Sequence, residues 1–166
     1  MSKQLNFAQQ MDEVLKTLDG QRPRLLLHAC CGPCSSAVLE QLCPYFEITV
    51  LYYNPNTWPA EEYRRRGEEL ERFVAAAHPL GVTVVEDPYD PQEFYTTLSI
   101  SPHKDAARIN AIGQELEAEF GVKHLPSDFK KHNGYLRSLQ LSAEYDLYRQ
   151  DYCGCEFSAK ARGIGT

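Results

Sequence analysis

The chain has 166 residues, a length for one domain spanning 1–166, and its 43% apolar content suffices for a buried core and argues against disorder. Seventeen basic against 23 acidic residues give a net charge of −6, which argues against a broad nucleic-acid surface but leaves room for a local basic patch around a specific RNA. No apolar run is long enough to cross a bilayer, and Met1-Ser2-Lys3-Gln4-Leu5-Asn6 lacks the basic start and apolar stretch of a secretory leader, so a cytoplasmic protein with no membrane partner is expected.

Residues 5–18 read as an amphipathic helix with Phe7, Met11, Val14, Leu15 and Leu18 on one face, stopped by Asp19-Gly20 and Pro23. Arg24–Ala29 is a short apolar run suited to a buried central strand. A cysteine-rich loop follows, after which Ser35 or Ser36 can N-cap a helix carrying Val38, Leu39 and Leu42. Ile48–Tyr53 reads as a second strand, and Asn54-Pro55-Asn56 turns the chain. The next helix runs from about 60 to 77, with Tyr63, Leu70, Phe73, Val74 and Ala77 as its inner stripe and Arg64-Arg65-Arg66 as a solvated face. Val82–Val85 is a third strand. A helix over 106–120 places Ile109, Ile112, Leu116 and Phe120 at helical spacing and ends at Gly121. Val122–Leu125 reads as a short fourth strand, and a last helix over 134–145 carries Leu136, Leu139 and Leu141. Alternating strands and helices predict an α/β fold, a parallel sheet with helices on both faces. Ligands of such sheets bind beyond the carboxyl ends of the strands, where the first cysteine loop falls.

Five of the six cysteines lie in two clusters, His28-Ala29-Cys30-Cys31-Gly32-Pro33-Cys34-Ser35 and Asp151-Tyr152-Cys153-Gly154-Cys155-Glu156. Three readings compete for the first cluster. Cysteine is often a buried packing residue, but three in five residues after a strand is not a packing pattern. Cys31 and Cys34 could form a thiol–disulfide redox pair favoured by the following helix N-terminus. Metal ligation explains the second cluster as well, because a four-ligand site has use for a distant C-x-C and a redox dithiol has none. A zinc-binding structural module on Cys31, Cys34, Cys153 and Cys155 therefore stands beside a redox centre. Cys43 reads as packing, and His28 equally as packing residue or ligand. Tyr53 and Asn54 end the second strand beside the cysteine loop, and Asp151 could orient a ligand or deliver a proton. Ser101 and Lys104, in Ser99-Ile100-Ser101-Pro102-His103-Lys104, either cap a helix or hold an anion such as phosphate. Lys130-Lys131-His132 reads as surface charge.

Four segments taken in order, Leu25–Ser35, Tyr53-Asn54-Pro55-Asn56, Thr97–Lys104 and Tyr148–Ser158, resemble the QueH-type epoxyqueuosine reductases. That resemblance implies a Rossmann-like fold and a 4Fe-4S cluster with an additional metal ion, an iron, beside it. It implies cobalamin-independent reduction of epoxyqueuosine to queuosine in a tRNA with a GUN anticodon, with electrons from a donor such as ferredoxin or flavodoxin. Carried onto this chain, Cys30, Cys31, Cys34, Cys153 and Cys155 are the ligands, with Cys30, Cys31, Cys153 and Cys155 on the cluster. Tyr53 and Asp151 are the candidate proton donors, and Asn54, Asn56, Ser101 and Lys104 the candidate substrate contacts. The family pattern also carries an R-C-x-x-C-F/Y segment after the third strand. Here Asp90–Tyr95 runs straight into Thr96-Thr97-Leu98, so an apparent deletion near residues 95–96 removes two further cysteines, and lower activity or none is expected of this chain.

Overall fold

A computed structural model describes residues 6–54, 57–78, 81–86, 105–152 and 156–163, the side chains of 156–158 excepted. Its centre is a parallel sheet of β1 (Arg24–Ala29), β2 (Glu47–Tyr52) and β3 (Val82–Glu86) in the order β1-β2-β3. The register pairs Leu27 with Val50 and Ala29 with Tyr52, then Ile48 with Val82 and Val50 with Val84. Helix α1 (Phe7–Thr17) precedes the sheet, and α2 (Gly32–Leu42) and α3 (Ala60–Ala77) make the two crossovers. Helices α4 (Ala106–Phe120), α5 (Gly134–Glu144) and α6 (Glu156–Ala161) follow. The parallel α/β architecture expected from the alternation is present.

Side-chain alternation along the strands explains the core. Leu27 and Ala29 of β1 and Ile48, Val50 and Tyr52 of β2 share one face and are buried. They meet Val38, Leu39 and Leu42 of α2 and Leu70, Phe73 and Val74 of α3 in one cluster. Leu39, Leu42, Leu70 and Phe73 are wholly buried, and each such side chain stabilises the fold by roughly 1.5–3 kcal/mol. On the opposite face Leu26 and Val85 are 66% and 46% exposed. Helix α1 enters under an N-cap, the Asn6 side chain accepting from the Gln9 amide at 3.2 Å, and buries Met11.

Three elements that follow the sheet depart from expectation. Val122–Leu125 is not a strand. Its path is set instead by the buried Asn110 of α4, whose amide donates to the Ser127 carbonyl at 2.8 Å and whose oxygen accepts from the Ser127 amide at 2.9 Å. The His124 ring adds a bond to the same oxygen at 3.0 Å and lies over Gly113, where a Cβ would collide with it. Within the segment itself the His124 amide donates to the Glu117 carboxylate at 3.0 Å rather than to a neighbouring strand. The buried positions of α4 are accordingly Ala106 and Asn110, while Leu116 and Phe120 of the expected stripe are exposed. In α5, Leu141 is buried and Leu136 and Leu139 are exposed. Arg137 anchors α5 to α2 by donating to the Glu40 carboxylate, at 2.7 Å from Nε.

Candidate metal centre

Strand β1 delivers Cys30 and Cys31 to the carboxyl edge of the sheet, and α2 begins at once with Gly32. Pro33 fits the first turn, where no amide proton is needed. The helix therefore starts four or five residues earlier than a Ser35 or Ser36 N-cap would allow. Those hydroxyls donate instead to the carbonyls of Cys31 and Pro33, at 2.8 and 2.9 Å. The early start puts Cys34 in the first turn of α2. The sulfurs of Cys30, Cys31 and Cys34 then lie within 4.8 Å of one another, with Cys30 and Cys31 Sγ 3.8 Å apart. A tetrahedral ion with metal–sulfur bonds near 2.3 Å needs ligand sulfurs about 3.8 Å apart, so this arrangement suits a soft metal.

The three sulfurs shift one another's pKa values. Hydrogen bonds from the Cys30 and Cys34 thiols hold Cys31 well below the usual thiol range against the opposing effect of burial, and the charge of Arg66 adds to this. Cys30 is pushed well above its ordinary value by its bond to Cys31, then by its bond to Cys34 and by burial. For Cys34, the bond to Cys30 favours the thiolate, but the bond to Cys31, burial and the Cys31 charge outweigh it and the thiol is pushed up. His28 stands apart from the group. Its Nε2–H donates to the Tyr53 carbonyl, and burial lowers its pKa.

Helix α3 holds both ends of the chain at this place. Gly32 sits so close that a Cβ there would lie 3.4 Å from the Glu69 carbonyl oxygen. The Glu69 carboxylate accepts from the Tyr148 amide at 2.7 Å, and Arg72 donates to the carbonyls of Tyr145 and Asp146 at 3.0 and 2.9 Å. The Tyr148 hydroxyl bonds to the Glu62 carboxylate at 3.1 Å, with the Arg65 guanidinium 3.4 Å above its ring. The Tyr152 hydroxyl donates to the Trp58 carbonyl at 3.2 Å. Between them, the Gln150 amide reaches the Cys31 sulfur at 3.7 Å. The segment that leads into the second cysteine cluster thus packs against the first.

Of the other predicted residues, Tyr53 is buried directly after β2, and Asn54 is buried with its carbonyl accepting from the Thr57 amide at 2.9 Å. Asp151 is exposed, 3.7 Å from Arg162. Asn56, Ser101, Lys104, Cys153 and Cys155 lie outside the described residues. His132 pairs with Asp12 at 3.3 Å on the surface, as expected, whereas Lys130 and Asp128, 3.4 Å apart, are partly buried. A cavity of about 980 Å³ beside these pairs is lined also by Asn6 and Asp105, and none of its described lining residues is a predicted site residue.

Two participants escaped the sequence reading. Arg66, assigned to a solvated face, is only 2% exposed and pairs with Glu62 at 2.7 Å. Its position three residues after Tyr63 and four before Leu70 puts it on the inner stripe, which is the signal that could have found it. Gln150 carries no such signal, since its contact is made only by the tertiary fold.

The sequence model of the family described as epoxyqueuosine reductase QueH matches residues 25–97 and 92–161. The chain belongs to this family. Epoxyqueuosine reductase QueH of Streptococcus pyogenes serotype M1 is 34% identical over 208 residues, covering 98% of this chain and 82% of the relative. The Staphylococcus epidermidis protein of the same name is 32% identical over 215 residues, covering 99% and 90%. The Thermotoga maritima protein of that name is 30% identical over 179 residues, covering 83% and 91%. The first two alignments are longer than the 166-residue chain itself, so those relatives carry a stretch that has no counterpart here. The two pieces of the family match meet at residues 92–97, where the sequence pattern breaks. Among the described residues no helix is long and apolar enough to cross a membrane.

Proposed function

We propose that this chain holds the site of the reaction for which its relatives are named, the reduction of epoxyqueuosine to queuosine in a tRNA with a GUN anticodon, with turnover limited by the stretch it lacks. The centre is held by Cys30, Cys31 and Cys34 from one end of the chain and Cys153 and Cys155 from the other. The observation that carries this reading is the closeness of the three described sulfurs, with Gln150, three residues before Cys153, already in contact with Cys31. When bound, a 4Fe-4S cluster supplies electrons one at a time and an adjacent iron ion supplies Lewis acidity, without cobalamin. Removing the epoxide oxygen takes two electrons, supplied by a donor such as ferredoxin or flavodoxin, and two protons, and releases an alkene and water.

The chain's own residues have simpler tasks. Cys31 is 1% exposed, and helix α3 seats both the start of α2 and the Tyr148 backbone that leads toward the second cluster. Tyr53 and Asp151, two residues before Cys153 in sequence, are the proposed proton donors. Asn54, Asn56, Ser101 and Lys104 are the proposed contacts to the nucleotide, in a protein that works in the cytoplasm. The stretch missing at residues 92–97 is proposed to supply two further thiolates, so turnover by this chain is expected to be low or absent. A closed zinc module is the competing reading, because three sulfurs within 4.8 Å also fit a single ion. Such a protein would be colourless after anaerobic loading, whereas an iron–sulfur protein is brown.

The test is single-turnover conversion of epoxyqueuosine tRNA under strong reductant, read by nucleoside mass spectrometry. It compares this chain with a version carrying the Streptococcus stretch between Tyr95 and Thr96. Queuosine from the extended version, and little or none from the shorter one, is expected. A fully loaded extended chain that forms no queuosine contradicts the proposal.

A further inference from the structure

We propose that Arg66 is the fixed counter-charge of the cysteine centre, a positioning residue that raises the reduction potential of the cluster held there. The inference rests on the iron–sulfur reading given above.

The placement of Arg66 is unusual for a helix cation. Two pairs on α3 join Glu to Arg four residues apart. Arg64 and Glu68 are 67% and 70% exposed, as surface pairs are, but the Arg66 and Glu62 side chains are 2% and 9% exposed. Burying both charges is costly, and an apolar side chain on the same stripe would hold the helix at least as well. The surroundings of Arg66 are defined on three sides. Gly67 beside it lies under the Tyr52 ring, close enough that a Cβ would come within 2.9 Å of Cε1. Glu69, nearly one turn on, abuts Gly32 at the start of the cysteine helix. The guanidinium carbon is 5.6 Å from the ring of Tyr152, the residue before Cys153. Arg66 therefore lies between the start of the cysteine helix and Tyr152.

Its hydrogen bonding is incomplete. Nε donates to Glu62, but the buried Nη2 has no hydrogen-bond partner among the described residues. Glu62 is also engaged by the Tyr148 hydroxyl, which draws part of its charge away from Arg66. An unsatisfied buried guanidinium nitrogen is expensive unless something negative faces it. A thiolate-bound cluster is such a group. Burial works against the Arg66 cation, and the bond to Glu62 and then the charges of Cys31 and Cys30 hold it charged.

The sign of the effect follows from charge alone. One-electron reduction adds a negative charge to the centre, so a nearby fixed cation stabilises the reduced form more than the oxidised form. Glu62 opposes this from the other side of the pair. Removing either member therefore shifts the potential in opposite directions, an outcome that a purely structural role for the pair would not produce.

The experiment uses the full chain, reconstituted anaerobically with iron and sulfide. Iron and sulfide content are measured first, and the midpoint potential is then read by a redox titration followed by electron paramagnetic resonance. Arg66→Gln is expected to weaken the one-electron reduction equilibrium about tenfold, a downward shift of about 59 mV. Arg66→Lys, which keeps the charge, should stay within about threefold of the parent by the same relation. Glu62→Gln should raise the potential, and it decides the matter alone if Arg66→Gln does not fold. An unmoved potential in Glu62→Gln, or shifts of the same sign in Glu62→Gln and Arg66→Gln, overturns the proposal while leaving the iron–sulfur reading intact. A parent chain that takes up no iron and sulfide overturns that reading, and this one with it.

Discussion

Replacing Gly67 by alanine sets two effects of known size against each other. In the middle of α3, alanine is favoured over glycine by about 1 kcal/mol through helix propensity alone. The new methyl, however, would lie 2.9 Å from Tyr52 Cε1 and 3.2 Å from Cδ1. Tyr52 cannot easily give way. It is buried in the middle strand, its hydroxyl donates to the Tyr63 carbonyl at 2.6 Å, and its ring packs on that of Tyr63 with centroids 4.8 Å apart. Overpacking of a fixed neighbour costs roughly 1–3 kcal/mol, so the overlap outweighs the helix gain and the net loss is about 1 kcal/mol. Because Tyr52 pairs with Ala29, just before Cys30, the displacement should also lower metal uptake. Urea unfolding followed by circular dichroism measures the stability, and metal content after anaerobic loading measures the second effect. A Gly67→Ala protein with a higher urea midpoint and unchanged metal uptake would show that α3 is not seated on Tyr52 as described.

Asn110→Ala should destabilise the protein by about 2–3 kcal/mol in the same assay, because it leaves the Ser127 amide and carbonyl without partners. A change below about 0.5 kcal/mol would mean that the 121–128 segment is held by something else. Stability should also fall in mild acid. Burial lowers the pKa of His78 and His124 below 6.5, so the unfolded chain takes up protons first, and stability present above pH 6.5 is lost as the pH falls through the folded values. Urea midpoints at several pH values check this, and a midpoint that rises on acidification from pH 7 refutes it.

The parts of the fold that could be read in advance are those with local punctuation. Pro23 and the Gly32-Pro33 pair bracket β1, and α4 ends as expected at Gly121, which adopts the left-handed conformation. What could not be read depended on groups far apart in the chain. Val122–Leu125 is spelled like a strand, but Asn110 and His124 determine its path. Arg66 is spelled like surface, because three arginines in a row conceal that only the third falls on the inner stripe. The α2 start differs from the expected Ser35 or Ser36 cap for a local reason, since Pro33 marks a first turn more strongly than Ser35 marks a cap. At the centre itself, cysteine density pointed to Cys30, Cys31 and Cys34, whereas the roles of Gln150, Glu69 and Tyr148 emerge only once α3 brings the two ends together.

The central claim is that cysteines from both ends of the chain hold one iron–sulfur centre. Iron and sulfide content after anaerobic reconstitution tests it most directly, with Cys31→Ala and Cys153→Ala compared with Cys43→Ala, whose thiol lies at the far end of α2. Cys31→Ala and Cys153→Ala are each expected to lose most of their iron, and Cys43→Ala to keep it. Unchanged iron and sulfide in both Cys31→Ala and Cys153→Ala would contradict the account.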